Sequence, residues 1–226
     1  MIEGLDRFAE PLLRVTVAVV LVILAVSARA MGQAWMALKR GDPSAKDAGR
    51  MTLLPFTHFD WVGCVLLPAT LVLIQPQANL LIGYARPVPV NPSRLKRPKA
   101  DFSLVALAGP GANLTLAIFL SMVGAVAFQS LKLDNQEAAL LFGAAITINV
   151  MLACVHLLPL PGFDGLKALY VFLPDEWCWT LQRSERYFLI VLAMAAFFRV
   201  LDWALYPGLQ LGRWLCAFAG VPMPAL

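Results

Sequence analysis

Two polar side chains stand four residues apart where a lipid-facing helix would be expected. Arg29 and Gln33 lie in SARAMGQAW, which directly continues the apolar run VTVAVVLVILAVSA. Spacing of i and i+4 puts both on one helix face. A guanidinium keeps its charge at any accessible pH, so at membrane depth it needs a counter-charge or a route to water. Few other groups in the chain could do chemistry. The two histidines are His58 in FTHFD and His156 in VHLLPLPGFDG, and the second stretch also carries Asp164. His156 and Asp164, with His58 or Asp60 as a third donor, are the one set that could touch a metal ion. As isolated features, His156 reads as a satisfied core histidine, Asn149 as an interhelical hydrogen bond, and Asn113 as an amide within reach of a neighbouring backbone. A general base is scarcer still. Glu3, Glu10, Glu137, Glu176 and Glu185 all fall at ends or turns, and none sits within an apolar span.

The elements that must hold these residues are membrane helices. The chain has 226 residues, 60% hydrophobic and 14% charged, against about 25% charged in soluble domains. Long runs carry almost no charge, which predicts a single, all-α polytopic membrane domain over 1–226 with four or five spans. The N-terminus MIEGLDRFAEPLLR is acidic and lacks a prompt cleavage site, so the first span is expected to be retained. Cys64, Cys154, Cys178 and Cys216 show no CxxC pairing and read as buried small hydrophobes. The net charge of +4 sits in loops, which suits anionic lipid headgroups and gives no nucleic-acid face.

Spans are predicted at 15–38, 102–129, 137–158 and 185–206, with LQLGRWLCAFAG as an interfacial helix. The stretch 61–83 is interrupted by QPQAN at 75–79, too early for the roughly 20 residues a crossing requires. It is therefore either a kinked span or a re-entrant element. Lys39, Arg40, Lys46 and Arg50 precede it, and Arg86, Arg94, Lys96, Arg97 and Lys99 follow it. A re-entrant path lets both basic groups share the cytoplasmic side, and the charge pattern leans that way.

Six fragments occur in order: AWMALKRGDPSAK, GRMTLLPFTHFDWVGCVLLP, GYARPVPVNP, VALAGPGANL, INVMLACVHLLPLPGFDG and SERYFLI. Together they resemble the site-2 protease family of intramembrane zinc metalloproteases, in its short prokaryotic branch. The resemblance covers about residues 27–195 and implies a multi-pass protein of a prokaryotic inner membrane. It also implies an HExxH motif directly upstream of AWMA. In that register the family's histidines fall at Arg29 and Gln33, and its glutamate falls at Ala30. The third ligand, an aspartate, falls at Asp164 and is present. The family's asparagine eight residues earlier, which helps position substrate backbone, falls at His156, while Asn113 and Asn149 match the family as they stand.

A catalytic zinc of this kind needs two imidazoles one turn apart, a third ligand, and a carboxylate beside its water. Arg29, Ala30 and Gln33 supply none of these, so no bound zinc or other cofactor is expected. Because the family's first histidine and its aspartate share a metal, their counterparts Arg29 and Asp164 should be neighbours and form a buried ion pair. The alternative for Arg29 is snorkelling to lipid phosphate. The implied function is that of an inactive homologue that binds partner transmembrane segments or serves as an accessory subunit of a membrane complex, through a groove bearing Asn113, Asn149 and His156. Trp203, Tyr206 and Trp214 are candidate contact residues, and anchoring at the membrane interface explains them equally well. The rival function is a zinc peptidase with ligands rearranged around His156 and Asp164.

Overall fold

The computed structural model describes residues 3–74, 83–197 and 200–223. In chain order its α-helices are α1 (Glu3–Arg40), α2 (Ser44–Asp47), α3 (Pro55–His58), α4 (Leu67–Ile74), α5 (Pro98–Gly124), α6 (Gln136–His156), α7 (Asp164–Ala168), α8 (Asp175–Ser184), α9 (Phe188–Phe197) and α10 (Val200–Ala219). Among the described residues there is no strand, and three helices are long and apolar enough to cross a membrane: Leu12–Arg40, Pro98–Ser130 and Gln136–His156. The valine-rich start of α1 would suit a strand in water. In lipid the helix wins, because it satisfies every backbone group within one segment. Gly41, with φ 109°, and Pro43 end it.

Helices α1, α5 and α6 form the core. Val22 and Val26 of α1 pack against Ile148 and Leu152 of α6, and Ala117 of α5 packs against Ile146 and Val150. A hypothetical Cβ on Gly32 would stand 2.7 Å from the Ala112 Cβ and 2.8 Å from the Ala108 carbonyl oxygen. Helix α1 and α5 are thus in backbone contact beside the polar pair. Gly32→Ala is expected to destabilise the protein by about 1–3 kcal/mol, measurable by unfolding in mixed micelles. Gly111, which meets nothing within 4 Å, is the matched control.

The stretch after α3 leaves and returns. Beyond the π-helical turn Val62–Leu66 and α4, the chain comes back in extended form, with Tyr84 N donating to Gly63 O (3.2 Å) and Arg86 N to His58 O (3.0 Å). The two ends of the stretch thus meet, and its QPQAN break lies outside the described residues. Both basic loops therefore share a face. Asp42 joins them: its carboxylate accepts from Ser44 N (3.0 Å) and Ser44 Oγ (2.5 Å), and from Asn91 N (2.6 Å) across the gap.

Asp42 is fully buried. Burial pushes its carboxyl up, but the bonds from Ser44 and Asn91, with Arg94 nearby, outweigh this and hold it below the usual carboxylate range. A depressed folded-state value means the carboxylate stabilises above the unfolded value of about 4, and the contribution is lost as pH falls through the folded value. Asp42→Ala is expected to cost about 1–3 kcal/mol at pH 7. The gap between variant and wild-type unfolding curves should close as the pH is lowered below 4.

The C-terminal part differs from the expected span and short interfacial helix. The 3-10 turn Glu185–Tyr187 leads into α9, and the apolar tail joins LQLGRWLCAFAG in one 20-residue helix, α10, which continues through Pro207. It packs along α6 and α5, with Gly208 against Cys154 and Ala219 against Gly124. Those neighbours hold a longer helix than the sequence stretch suggested alone. Tyr206 and Trp214 are exposed on it, and the side chain of Trp203 lies outside the described residues.

Candidate functional site

Arg29 and Gln33 project from α1 toward Asp164, the first residue of α7. Asp164 is delivered by a tight turn. Gly162 adopts φ 88°, Phe163 is buried as an anchor, and a Cβ on Gly165 would fall 2.0 Å from the Leu157 carbonyl oxygen at the end of α6. On the opposite side Gly109 of α5 leaves room for the cluster: a Cβ there would lie 2.9 Å from Gln33 Nε2, 3.0 Å from Arg29 Cγ and 3.2 Å from Asp164 Oδ2.

Both oxygens of Asp164 are taken. Arg29 Nε and Nη2 donate to Oδ2 at 2.9 and 2.5 Å, and Gln33 Nε2 donates to Oδ1 at 3.0 Å. All three residues are buried, Asp164 to 2% exposure and the other two to 9%. Arg29 is thus paired with protein, not with lipid phosphate. In a poorly hydrated site the carboxylate owes its tolerance to these donors.

His156 Nδ1 lies 2.8 Å from Leu152 O. A carbonyl only accepts, so Nδ1 carries the proton, and in the neutral ring Nε2 is left as an acceptor. Arg29, Gln33, His156 and Asp164 line one cavity of about 330 Å³. Lys167 and Glu185 also line it and pair with each other at 3.3 Å. Tyr84 and Phe188 close part of its wall, edge to face with centroids 5.3 Å apart. The Lys167–Glu185 pair spans 18 residues of sequence and no local pattern announces it.

Asn113 and Asn149 do not line the cavity. Asn113 follows Gly109 by one turn, and Asn149 precedes His156 by two, so each sits deeper in the bundle. The Asn149 amide nitrogen donates to Ala145 O (2.9 Å) of its own helix, where the sequence suggested a bond between helices. Its Oδ1, and both polar atoms of Asn113, have no partner among the described residues.

The alternative metal donors are held elsewhere. His58 Nε2 bonds Thr52 O at 2.8 Å, and burial, with Arg50 nearby, keeps the ring below its usual basicity despite that bond. Asp60 Oδ1 accepts from Gly63 N at 2.9 Å. Among the described residues no three His, Cys, Asp or Glu side chains are grouped to hold a metal ion. The residues at the resemblance's zinc position do not fit zinc either. Two of them turn N–H donors onto the only carboxylate, and a donor hydrogen cannot ligate a cation. Ala30 is buried and offers no base.

The chain is 31% identical over 214 residues to "Putative zinc metalloprotease YwhC" of Bacillus subtilis, covering 92% of this chain and 93% of that protein. It is 27% identical over 193 residues to "Putative zinc metalloprotease Rip2" of Mycolicibacterium smegmatis, covering 84% of this chain and 69% of the relative. The protein of that name from Mycobacterium tuberculosis is 36% identical over 111 residues, 45% of this chain and 41% of its own length. No family model and no solved structure matches.

Proposed function

We propose that this chain, which belongs to the site-2 protease family of membrane zinc metalloproteases, is a proteolytically inactive member that binds partner transmembrane segments as an accessory subunit. One observation carries the reading. The guanidinium of Arg29 is seated on Asp164 and Gln33 bonds the other carboxylate oxygen, so a fixed cation already occupies the side of the aspartate that faces α1. With Ala30 at the family's glutamate position, the carboxylate that would take a proton from a metal-bound water is missing from that place on α1. The cavity beside the pair remains, and a membrane-embedded cavity with polar lining is a feature a binding subunit keeps and uses.

The test is metal content and peptide hydrolysis of the detergent-solubilised protein, wild type beside Asp164→Ala. The reading expects no stoichiometric zinc in either and no cleavage of membrane-spanning peptides. About one zinc per chain, lost with Asp164 and accompanied by cleavage, would overturn it in favour of a peptidase rebuilt around His156.

A further inference from the structure

Arg29 brings more donors to the cavity than Asp164 uses. Nε and Nη2 are both spent on Oδ2, and Nη1 has no acceptor among the described residues. Gln33 gives its Nε2 to Asp164, which leaves its Oε1 likewise unpaired, and His156 keeps Nε2 after bonding Leu152 through Nδ1. All three residues line the same cavity. Beside Asp164 its unspent groups therefore include N–H donors of Arg29 and two acceptors, Gln33 Oε1 and His156 Nε2. Its charges are already balanced: Arg29 with Asp164 at 2.5 Å and Lys167 with Glu185 at 3.3 Å. A charged guest would enter without a counter-ion, at high cost in a poorly hydrated site. A neutral guest offering an acceptor and one or two donors would pair with Arg29, Gln33 and His156 without disturbing either ion pair.

We infer that the cavity binds an uncharged amide group carried by a partner membrane segment, its carbonyl accepting from Arg29 Nη1 and its N–H donating to Gln33 Oε1 or His156 Nε2. This rests on the binding role proposed above and names the chemistry that role recognises. The shared chemistry has two sources, the side chain of an Asn or Gln on an intact helix and the main chain of a locally unwound one. A side-chain amide reaches the cavity without the partner losing helical hydrogen bonds, so an intact helix with a central Gln is the favoured guest.

The experiment uses fluorescent 21-residue Leu–Ala helices in lipid nanodiscs, titrated with the full-length protein. Their centre carries Gln, Leu, Glu, Lys or the helix breaker Gly-Pro. The Gln peptide is expected to bind roughly three- to thirtyfold tighter than the Leu peptide, the range of a hydrogen bond between membrane helices. His156→Phe, which leaves the Arg29–Asp164 pair in place, should reduce the preference, and Arg29→Leu combined with Asp164→Leu should abolish it. Equal enhancement by Gly-Pro would keep the amide chemistry and assign it to main chain. Equal binding of Leu and Gln peptides, or preference for Glu or Lys, overturns the inference while the binding role stands. Binding of no peptide at all overturns both.

Discussion

Asp164→Ala is expected to be among the most damaging single substitutions in the chain, costing about 3–5 kcal/mol of stability. The reason is the charge left behind. With the carboxylate gone, the Arg29 guanidinium stays in a site where it is only 9% exposed, and Gln33 also loses its acceptor. Arg29→Leu should be similarly harmful in the opposite sense, stranding a carboxylate that is 2% exposed. Replacing both by leucine removes two desolvation costs together, and well-packed apolar replacements of buried pairs are often neutral or stabilising. The double variant should therefore unfold much closer to wild type than either single one. A cycle measured by reversible unfolding in mixed micelles gives the coupling directly. Losses that simply add would show that Arg29 and Asp164 contribute independently, against the 2.5 Å contact between them.

The second large effect is a gain. Arg29→His with Gln33→His places two imidazoles one turn apart on α1, both facing Asp164, which is released from its donors. That triple set matches the ligand types and helical spacing of catalytic zinc sites. The variant is expected to take up about one zinc per chain where wild type takes none, measured by mass spectrometry of metal after dialysis. Adding Ala30→Glu supplies the missing base, and cleavage of a membrane-spanning peptide should rise from background. Metal uptake by the double variant without cleavage by the triple one would place the deficit beyond the three substituted positions.

Much of this was legible in the sequence because membranes simplify the code. Long apolar runs have only one way to satisfy their backbone in lipid, so α1, α5 and α6 follow from hydropathy. Arg29 announced itself by cost, and its register against AWMALKRGDP pointed to Asp164, 135 residues away. What escaped was fixed by packing between distant segments. Lys167 and Glu185 meet through the placement of α7 against the turn before α9, which no periodicity encodes. The length of α10 depends on α6 lying alongside it. Asn113 and Asn149 matched a family pattern, yet helical phase puts them one and two turns beyond the cavity. Residue type was readable at those positions, and depth was not.

The carboxylate with both oxygens occupied also constrains how such a protein can evolve. A chain holding Arg29 cannot return to metal binding through Arg29→His alone, because the first step removes two of the three donors that Asp164 relies on and provides one imidazole in exchange. An intermediate that loses Arg29 before new ligands are in place carries a buried carboxylate short of partners. The ion pair therefore acts as a one-way catch. On the function proposed above, selection for folding alone is enough to keep the guanidinium on Asp164.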